Sequence, residues 1–243
     1  MLPGVVCVDS RRRIPWSVVA GDRLAPGCPS TSREMRPVTS RKLSAAGQAG
    51  GSRESVFQAA LRSFYSRGYD AASMRDIAKA GGVTTAAIYH YYASKQELLM
   101  DVISRFMQQS IEATREAIAS AGDCPAEQLF AAARSHVLWN ASDVVSSFVV
   151  NSEIRSLEPH NRQRNIAQRD ELQRMFDGVV ERGVEEGVFA TPWPREASRA
   201  VVTMCTSVAR WYKASGPLSP EAIADRYGHM SLSLVGSSVA VEH

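Results

Sequence analysis

The sequence contains no long apolar run. No stretch reaches the roughly 20 apolar residues that a membrane-spanning helix needs. The apolar residues 2–8 precede the first arginines, whereas a secretory signal places its basic residues before its apolar segment. These absences argue against membrane insertion and secretion by such segments, and we expect a cytoplasmic protein that does not bind a membrane.

Patterns that hold metals or carry out catalysis are also missing. The four cysteines, Cys7, Cys28, Cys124 and Cys205, form no C-x-x-C pair and have no histidine at metal-ligand spacing. The chain has no G-x-S-x-G, no phosphate-binding P-loop, no G-x-G-x-x-G and no H-E-x-x-H. We therefore predict no metal site, no cofactor and no enzymatic activity.

Excess positive charge is confined to the N-terminal part of the chain. The whole sequence has 28 Lys and Arg against 25 Asp and Glu, but residues 1–53 hold nine against three and the remainder nineteen against twenty-two. Residues 41–100 hold eight basic and four acidic residues, a balance that favours phosphate groups. This distribution is typical of a chain whose N-terminal part meets an anionic partner.

Residues 1–50 are rich in Pro, Gly, Ser and Arg and show no sustained helical or strand period. We predict that they form a disordered basic arm. In one interpretation the arm is functional, because Arg41, Lys42 and Arg53 precede the first helix and could reach a minor groove or phosphates. In the other, Met35 begins the functional chain and the residues before it are dispensable. Arg41 and Lys42 are retained in both.

Two short helical patterns joined by a glycine turn occupy residues 74–92. Ser73 and Asp76 form a capping-box signal for the first helix, whose apolar positions then share one face. Gly81 and Gly82 end it, and such a pair supplies the positive-φ freedom that lets two helices meet at a steep angle. The pattern predicts a helix-turn-helix.

Neighbouring signals follow in register. Thr84 or Thr85 can cap the second helix, and Ser94 with Glu97 opens a long amphipathic run. Upstream, another amphipathic helix is predicted to stop at Gly68, a residue suited to the position just after a helix.

The segment "AALRSFYSRGYDAASMRDIAKAGGVTTAAIYHYYASKQELLMDVI" resembles the TetR family of bacterial repressors. Family members show the same order of a helix, a glycine, an Asp-Ile-Ala helix, a Tyr-aromatic recognition helix and a Ser-Lys cap. The resemblance covers roughly residues 53–103 and implies a double-stranded DNA operator as partner. Helix-turn-helix patterns also occur in proteins that bind no nucleic acid, and in that interpretation Tyr89 and Tyr92 belong to a small core.

Side chains on the exposed N-terminal face of a recognition helix reach base edges, and flanking residues reach the phosphate backbone. The predicted DNA-binding residues are Arg41, Lys42, Arg53, Thr84, Thr85, Ala86, Tyr89, His90, Tyr91 and Lys95.

The rest of the chain predicts helices only, punctuated by proline and glycine. The resemblance to the TetR family implies nine helices and no strands: an all-α fold with an N-terminal three-helix helix-turn-helix domain and a C-terminal helical ligand-binding and dimerisation bundle. The predicted divisions are a disordered arm (1–50), a DNA-binding domain (51–96) and a ligand-binding and dimerisation domain (97–238). Predicted C-terminal helices start at Pro125 and Pro220 and span 143–157, 160–186 and 195–214.

A repressor that senses a ligand needs a cavity whose occupancy changes its DNA-binding state. Large apolar residues on the inward faces of different predicted helices could line one, although each taken singly could equally be ordinary core. These candidates are Trp139, Phe148, Val149, Met175, Phe176, Met204 and Trp211.

Arg155, Arg162 and Arg169 recur at intervals of seven, which is one helical stripe where the backbone is continuous. A basic stripe beside an apolar cavity suits a ligand with an apolar tail and a phosphorylated head. The alternative is a solvated face paired with nearby acidic residues, and Pro159 interrupts the stripe if it breaks the helix.

The segments "NSEIRSLEPHNRQRNIAQRDELQRMFDGVVERGVEEGVF" and "MCTSVARWYKASGPLSPEAIADRY" look like the C-terminal domains of TetR-family repressors that respond to acyl-CoA esters in fatty-acid or sterol-ring degradation. This resemblance implies a small hydrophobic effector, an acyl-CoA thioester, whose binding releases the operator. Two alternatives are a drug-sensing repressor of an efflux gene and a helical protein that does not bind DNA.

We call the predicted DNA-binding domain, residues 51–96, the reading head. A single reading head contacts too few bases to specify a unique genomic site, so we predict a homodimer on a pseudopalindromic operator. The last two helices are expected to form a four-helix interface between the two copies. The residues predicted for this interface are Val201, Val208, Ile223 and Leu232.

Overall fold

A computed structural model describes residues 52–241, so most of the predicted N-terminal arm, including Arg41 and Lys42, lies outside the described residues. Residues 52–241 form nine α-helices, and their β-pairing is limited to one isolated bridge between Phe189 and Ser237. This confirms the all-α prediction. The helices are α1 (Arg53–Ala71), α2 (Met74–Ala80), α3 (Thr85–Tyr91), α4 (Lys95–Ser120), α5 (Pro125–Ser142), α6 (Val144–Ser152), α7 (Pro159–Glu185), α8 (Pro194–Trp211) and α9 (Pro220–Leu234).

One predicted helix boundary is confirmed and another is corrected. The regular part of α1 stops at Gly68, as predicted, because this residue has a non-helical backbone with a φ of 77°, and a short turn to Ala71 follows the kink. The single helix predicted over 143–157 is instead α6 followed by a 3-10 turn at Glu153–Ser156. The proline that begins α7 holds Glu158 in an extended conformation and so separates this turn from α7.

The apolar faces of the first four helices meet in one core. Phe64 of α1, Ile77 of α2, Ile88 of α3 and Leu98 of α4 are all fully buried, and α1 contacts each of the other three helices. Helix α4 is 26 residues long and continues beyond this core, where it packs on α5 and α7. One helix therefore belongs both to the N-terminal core and to the C-terminal bundle.

Helix α5 is the centre of the C-terminal bundle and contacts α4, α6, α7, α8 and α9. Its alanines Ala131, Ala132 and Ala133 are all buried, and small side chains allow neighbouring helices to approach closely. Across from it, a Cβ added to Gly228 of α9 would lie 2.6 Å from the Phe130 ring. None of the helices within 52–241 has an apolar stretch of the length required to cross a bilayer.

Two glycines on α7 give a matched test of this packing. A Cβ at Gly183 would overlap the buried Phe189 ring, whereas a Cβ at exposed Gly178 would meet no atom within 4 Å. We expect Gly183→Ala to lower the free energy of unfolding by about 1–3 kcal/mol through overpacking. Gly178→Ala should raise it by about 0.5–1 kcal/mol, since alanine favours the helix. Urea unfolding of both variants is the measurement, and equal shifts would contradict the assigned packing.

Candidate DNA interface and effector cavity

The turn between α2 and α3 is closed by local hydrogen bonds. Ser73 Oγ accepts from the Asp76 backbone N–H at 3.1 Å and donates to the Asp76 carboxylate at 2.7 Å. Gly82 has a φ of 66°, whereas Gly81 is in the right-handed helical region, so Gly82 supplies the left-handed conformation. Thr84 Oγ1 accepts from Ala87 N–H at 3.1 Å and is the cap of α3. The predicted helix-turn-helix is confirmed.

Helix α3 is anchored from one side and open on the other. Ile88 is fully buried and Tyr92, which follows the helix, is 1% exposed. Tyr89 is 52% exposed, Ala86 and His90 are also exposed, and Thr85 and Tyr91 are partly buried. Of the two tyrosines, only Tyr92 is part of a core. Tyr89 lies on a face that solvent or DNA can reach.

Lys95 is placed differently from the prediction. Its Nζ donates to the backbone carbonyls of Tyr69 at 2.9 Å and Ala72 at 3.0 Å, and it lies 4.1 Å from the centre of the Tyr69 ring. Those carbonyls stand at the C-terminal end of α1, where a cation is stabilised by the helix dipole. The ammonium group is therefore held inside the reading head instead of being directed to a phosphate.

Arg53 belongs to a network that fastens the end of α3 to α4. Tyr92 Oη donates to Asp101 Oδ2 at 2.6 Å, and Arg53 Nε donates to Tyr92 Oη at 3.3 Å. Arg105 pairs with both Asp101 and Glu54 at 2.9 Å. Burial and the bond to Asp101 raise the pKa of Tyr92 to about 12, so its hydroxyl stays a donor. The Arg53 side chain is still 55% exposed, and its DNA contact stays a prediction.

Two basic residues on α2 were missed by the sequence analysis. Arg75 and Lys79 are exposed, lie one helical turn apart, and form no ion pair with any residue in 52–241. In a helix-turn-helix the first helix crosses the DNA backbone. Their spacing of four within a capped helix was the signal that could have identified them.

A cavity of about 290 Å³ lies among the helices of the C-terminal bundle. Part of its wall is polar and hydrogen-bonded. His136 Nε2 is 2.9 Å from Thr206 Oγ1, and His136 Nδ1 is 3.4 Å from Ser110 Oγ. Burial, with a smaller contribution from the charge of Arg169, lowers the pKa of His136 to about 4, so the ring is neutral at pH 7. The lining residues are Phe106, Met107, Ser110, His136, Asn140, Val150, Asn151, Arg169, Asp170, Leu172, Gln173, Arg199, Val202 and Thr206.

Arg169 is the only predicted ligand-binding residue that lines this cavity. Its Nε donates to Asn165 Oδ1 at 2.9 Å, and its Nη2 donates to Val150 O at 3.1 Å and Asn151 Oδ1 at 3.3 Å. These acceptors are all neutral, and no carboxylate among residues 52–241 forms an ion pair with it. Burial lowers the pKa of its guanidinium. The side chain therefore joins α7 to α6 and places an unpaired positive charge at the cavity.

The predicted arginine stripe is not formed. Arg155 lies on the 3-10 turn, before the proline that begins α7, and is exposed. Arg162 is also exposed and donates to the carbonyls of Arg155 and Leu157 at 3.2 and 3.1 Å. Arg199 of α8, which the sequence analysis did not select, is the second arginine of the cavity and is exposed.

The predicted apolar residues also lie outside the lining. Phe148 is 42% exposed and packs edge-on against Tyr65 at 5.3 Å, and Trp211 is 47% exposed and stacks on Tyr227 at 6.3 Å. Helical periodicity identifies an inward face but does not say which inward face borders a void. Core or partly buried positions away from the void are occupied by Trp139, Val149, Met175, Phe176 and Met204.

The four residues predicted for the dimer interface are buried within the chain itself. Val201 and Val208 are fully buried, and Ile223 and Leu232 are each 5% exposed. They are therefore not available to a second copy. The apolar side chains that α8 and α9 leave exposed are instead Trp211, Met230 and Leu234.

Comparison with known proteins decides the family. Residues 56–102 match the family model for bacterial regulatory proteins of the tetR family, and residues 122–235 match that for the tetracyclin repressor-like C-terminal domain. The TetR family transcriptional regulator PfmR from Thermus thermophilus is 31% identical, with a TM-score of 0.68 over 73% of this chain and 97% of PfmR. The chain belongs to the TetR family. It is thus a transcriptional regulator, and this family is not one of enzymes.

Two further proteins are similar along most of the chain. The HTH-type transcriptional repressor KstR2 of Mycobacterium tuberculosis is 28% identical over 187 residues, which cover 75% of this chain and 92% of KstR2. AibR, solved in complex with isovaleryl coenzyme A and operator DNA, is 23% identical with a TM-score of 0.68 over 76% of this chain and 98% of AibR. AibR therefore shares the fold.

Proposed function

We propose that this TetR-family protein is a cytoplasmic, homodimeric repressor that binds a pseudopalindromic operator and is released by an acyl-CoA thioester. Residues 51–96 bind DNA in this proposal, and residues 97–238 bind the effector and a second copy of the chain. The similarity to the repressor KstR2 supports repression, and the isovaleryl coenzyme A bound by AibR supports a thioester effector. The apolar surface left exposed on α8 and α9 supports dimer formation.

The observation that carries the proposal is the bond between Arg169 and α6. Val150 and Asn151 belong to α6, line the cavity and accept hydrogen bonds from Arg169. A hydrogen-bond acceptor of a ligand that enters the cavity competes for the same guanidinium. Occupancy of the cavity therefore weakens the attachment of α6 to α7.

Helix α6 in turn packs on the reading head. Phe148 of α6 contacts Tyr65 of α1, and α1 contacts both α6 and the 3-10 turn that follows it. A second link joins this turn to α4, because Gln96 Nε2 donates to Ser156 O at 2.6 Å and Gln96 Oε1 accepts from Glu158 N–H at 3.1 Å. A shift of α6 thus reorients α1 and α4, and with them the two heads of a dimer. The effector must bind the released state more tightly for this shift to occur.

The size and charge of the cavity set the binding mode. A volume of about 290 Å³ is at the lower end for small-molecule pockets, so the acyl part enters while the larger coenzyme part remains near exposed Arg199. The lining contains two arginines, Arg169 and Arg199, and one carboxylate, that of Asp170. This balance disfavours the alternative of a cationic drug as effector.

The test is operator release measured by fluorescence anisotropy, using the DNA upstream of the protein's own gene. We expect short acyl-CoA thioesters to release the DNA, whereas coenzyme A and the matching free acids should fail at the same concentration, because each forfeits part of the contacts. A free acid as effective as its thioester would contradict the proposed effector. Failure to bind any upstream DNA would contradict the proposed operator.

A further inference from the structure

Buried polar groups stand beside the apolar residues in the lining of the cavity. His136, Asn140 and Ser110 are all at most 4% exposed and line it together with Arg169. The buried polar groups are already satisfied: Asn140 Nδ2 donates to His136 O at 2.9 Å, and Asn140 Oδ1 accepts from Ser147 Oγ at 2.7 Å. Arg169 differs from them in that it has donors to spare.

The hydrogen bonds of Arg169 leave Nη1 unused within residues 52–241. Its Nε and Nη2 make its three hydrogen bonds, to Asn165 Oδ1, Val150 O and Asn151 Oδ1. A guanidinium has five N–H donors, so the two on Nη1 remain for a ligand or for water. A hydrocarbon tail in this space would displace water from a charged donor and return no hydrogen bond, which is unfavourable. A carboxylate would form short, charge-assisted bonds with it.

The charges of the lining agree with such an anion. Arg169 and Arg199 carry two positive charges, exposed Asp170 carries one negative charge, and neutral His136 adds none. Since Arg199 is exposed, it is placed for the coenzyme phosphates, and Arg169 is left for the enclosed end of the effector. The two arginines therefore suit a ligand with an anionic group at each end.

We propose that the acyl group of the effector carries its own carboxylate, which binds Arg169, so that the effector is the thioester of a small dicarboxylic acid. This inference rests on the proposed function and adds the class of acyl group. Bound to Nη1, the carboxylate draws the guanidinium away from Val150 O and Asn151 Oδ1, which loosens α6.

The test compares two thioesters of nearly the same shape by titration calorimetry. Glutaryl-CoA ends in a carboxylate, and in 5-methylhexanoyl-CoA an isopropyl group replaces it. We expect the wild-type protein to bind glutaryl-CoA about tenfold more tightly or better, as follows from hydrogen bonds to charged groups. Arg169→Met should abolish this preference. Arg162→Met, on the same helix but away from the cavity, should keep it.

The wild-type comparison decides the matter without any variant, which protects the test if Arg169→Met fails to fold. Equal or tighter binding of 5-methylhexanoyl-CoA overturns the inference. If that thioester also releases the operator, the proposed function stands. If neither thioester binds nor releases DNA, while the protein binds its operator, the inference and the proposed effector class both fall.

Discussion

Tyr89→Ala is expected to weaken operator binding by about thirtyfold or more, because a direct base contact contributes about 1–3 kcal/mol and a dimer loses two such contacts. Tyr89 is 52% exposed, forms no hydrogen bond within residues 52–241 and follows the fully buried Ile88 that anchors α3. Thr85→Ala should act in the same direction. The cap of α3 is Thr84, so Thr85→Ala leaves the helix cap intact. Anisotropy titration with operator DNA at one fixed salt concentration is the measurement.

The matched control is Trp193→Ala. Trp193 is an aromatic residue that is 67% exposed and lies just before α8, outside the helix-turn-helix. This variant should bind the operator like the wild type. The Tyr89 and Thr85 variants should keep the wild-type unfolding free energy and acyl-CoA affinity, because neither residue lies in the core or at the cavity. Wild-type operator affinity in both variants would contradict the assignment of α3 as the reading helix.

The reading head was predictable from sequence because its determinants are local. A cap bonds to a backbone group three residues away, as Ser73 does with Asp76 and Thr84 with Ala87. The glycine turn likewise needs only its own backbone conformation. Lys95 shows the limit of this reasoning. Its partners, Tyr69 and Ala72, are more than twenty residues away, and no local pattern reveals that the ammonium group will cap α1.

The cavity was less predictable for the same physical reason. Periodicity marks which residues of a helix point inward, and Val149 and Phe176 are indeed fully buried. Whether an inward residue meets another side chain or a void depends on how five helices pack around α5. The arginine spacing failed because a 3-10 turn and a proline separate Arg155 from Arg162. Arg169 was identified by the spacing, but its bonds to α6 were not foreseeable.

The stability of the protein should fall as the pH decreases from about 6.5 to about 4, in part because of His136. The ring is buried and its pKa is about 4, against an ordinary value of 6.5, so in this interval the unfolded chain binds a proton that the folded chain does not. Above pH 6.5 the ring is neutral in both states, so its shifted pKa leaves the free energy of unfolding unchanged. Below pH 6.5 protonation of the unfolded chain lowers that free energy progressively. A shift of this size corresponds to about 3 kcal/mol of unfolding free energy.

His136→Gln tests this by removing the titrating ring. Urea unfolding of both proteins between pH 7 and pH 4 should show the variant less stable than the wild type at pH 7, where the His136 contacts with Thr206 and Ser110 are intact. That difference should shrink by about 3 kcal/mol toward pH 4, because only the wild type must keep a buried imidazole unprotonated. His160→Gln, at an exposed histidine, is the control and should follow the wild type at every pH. A stability difference between wild type and His136→Gln that stays constant with pH would show that this histidine does not resist protonation in the folded protein.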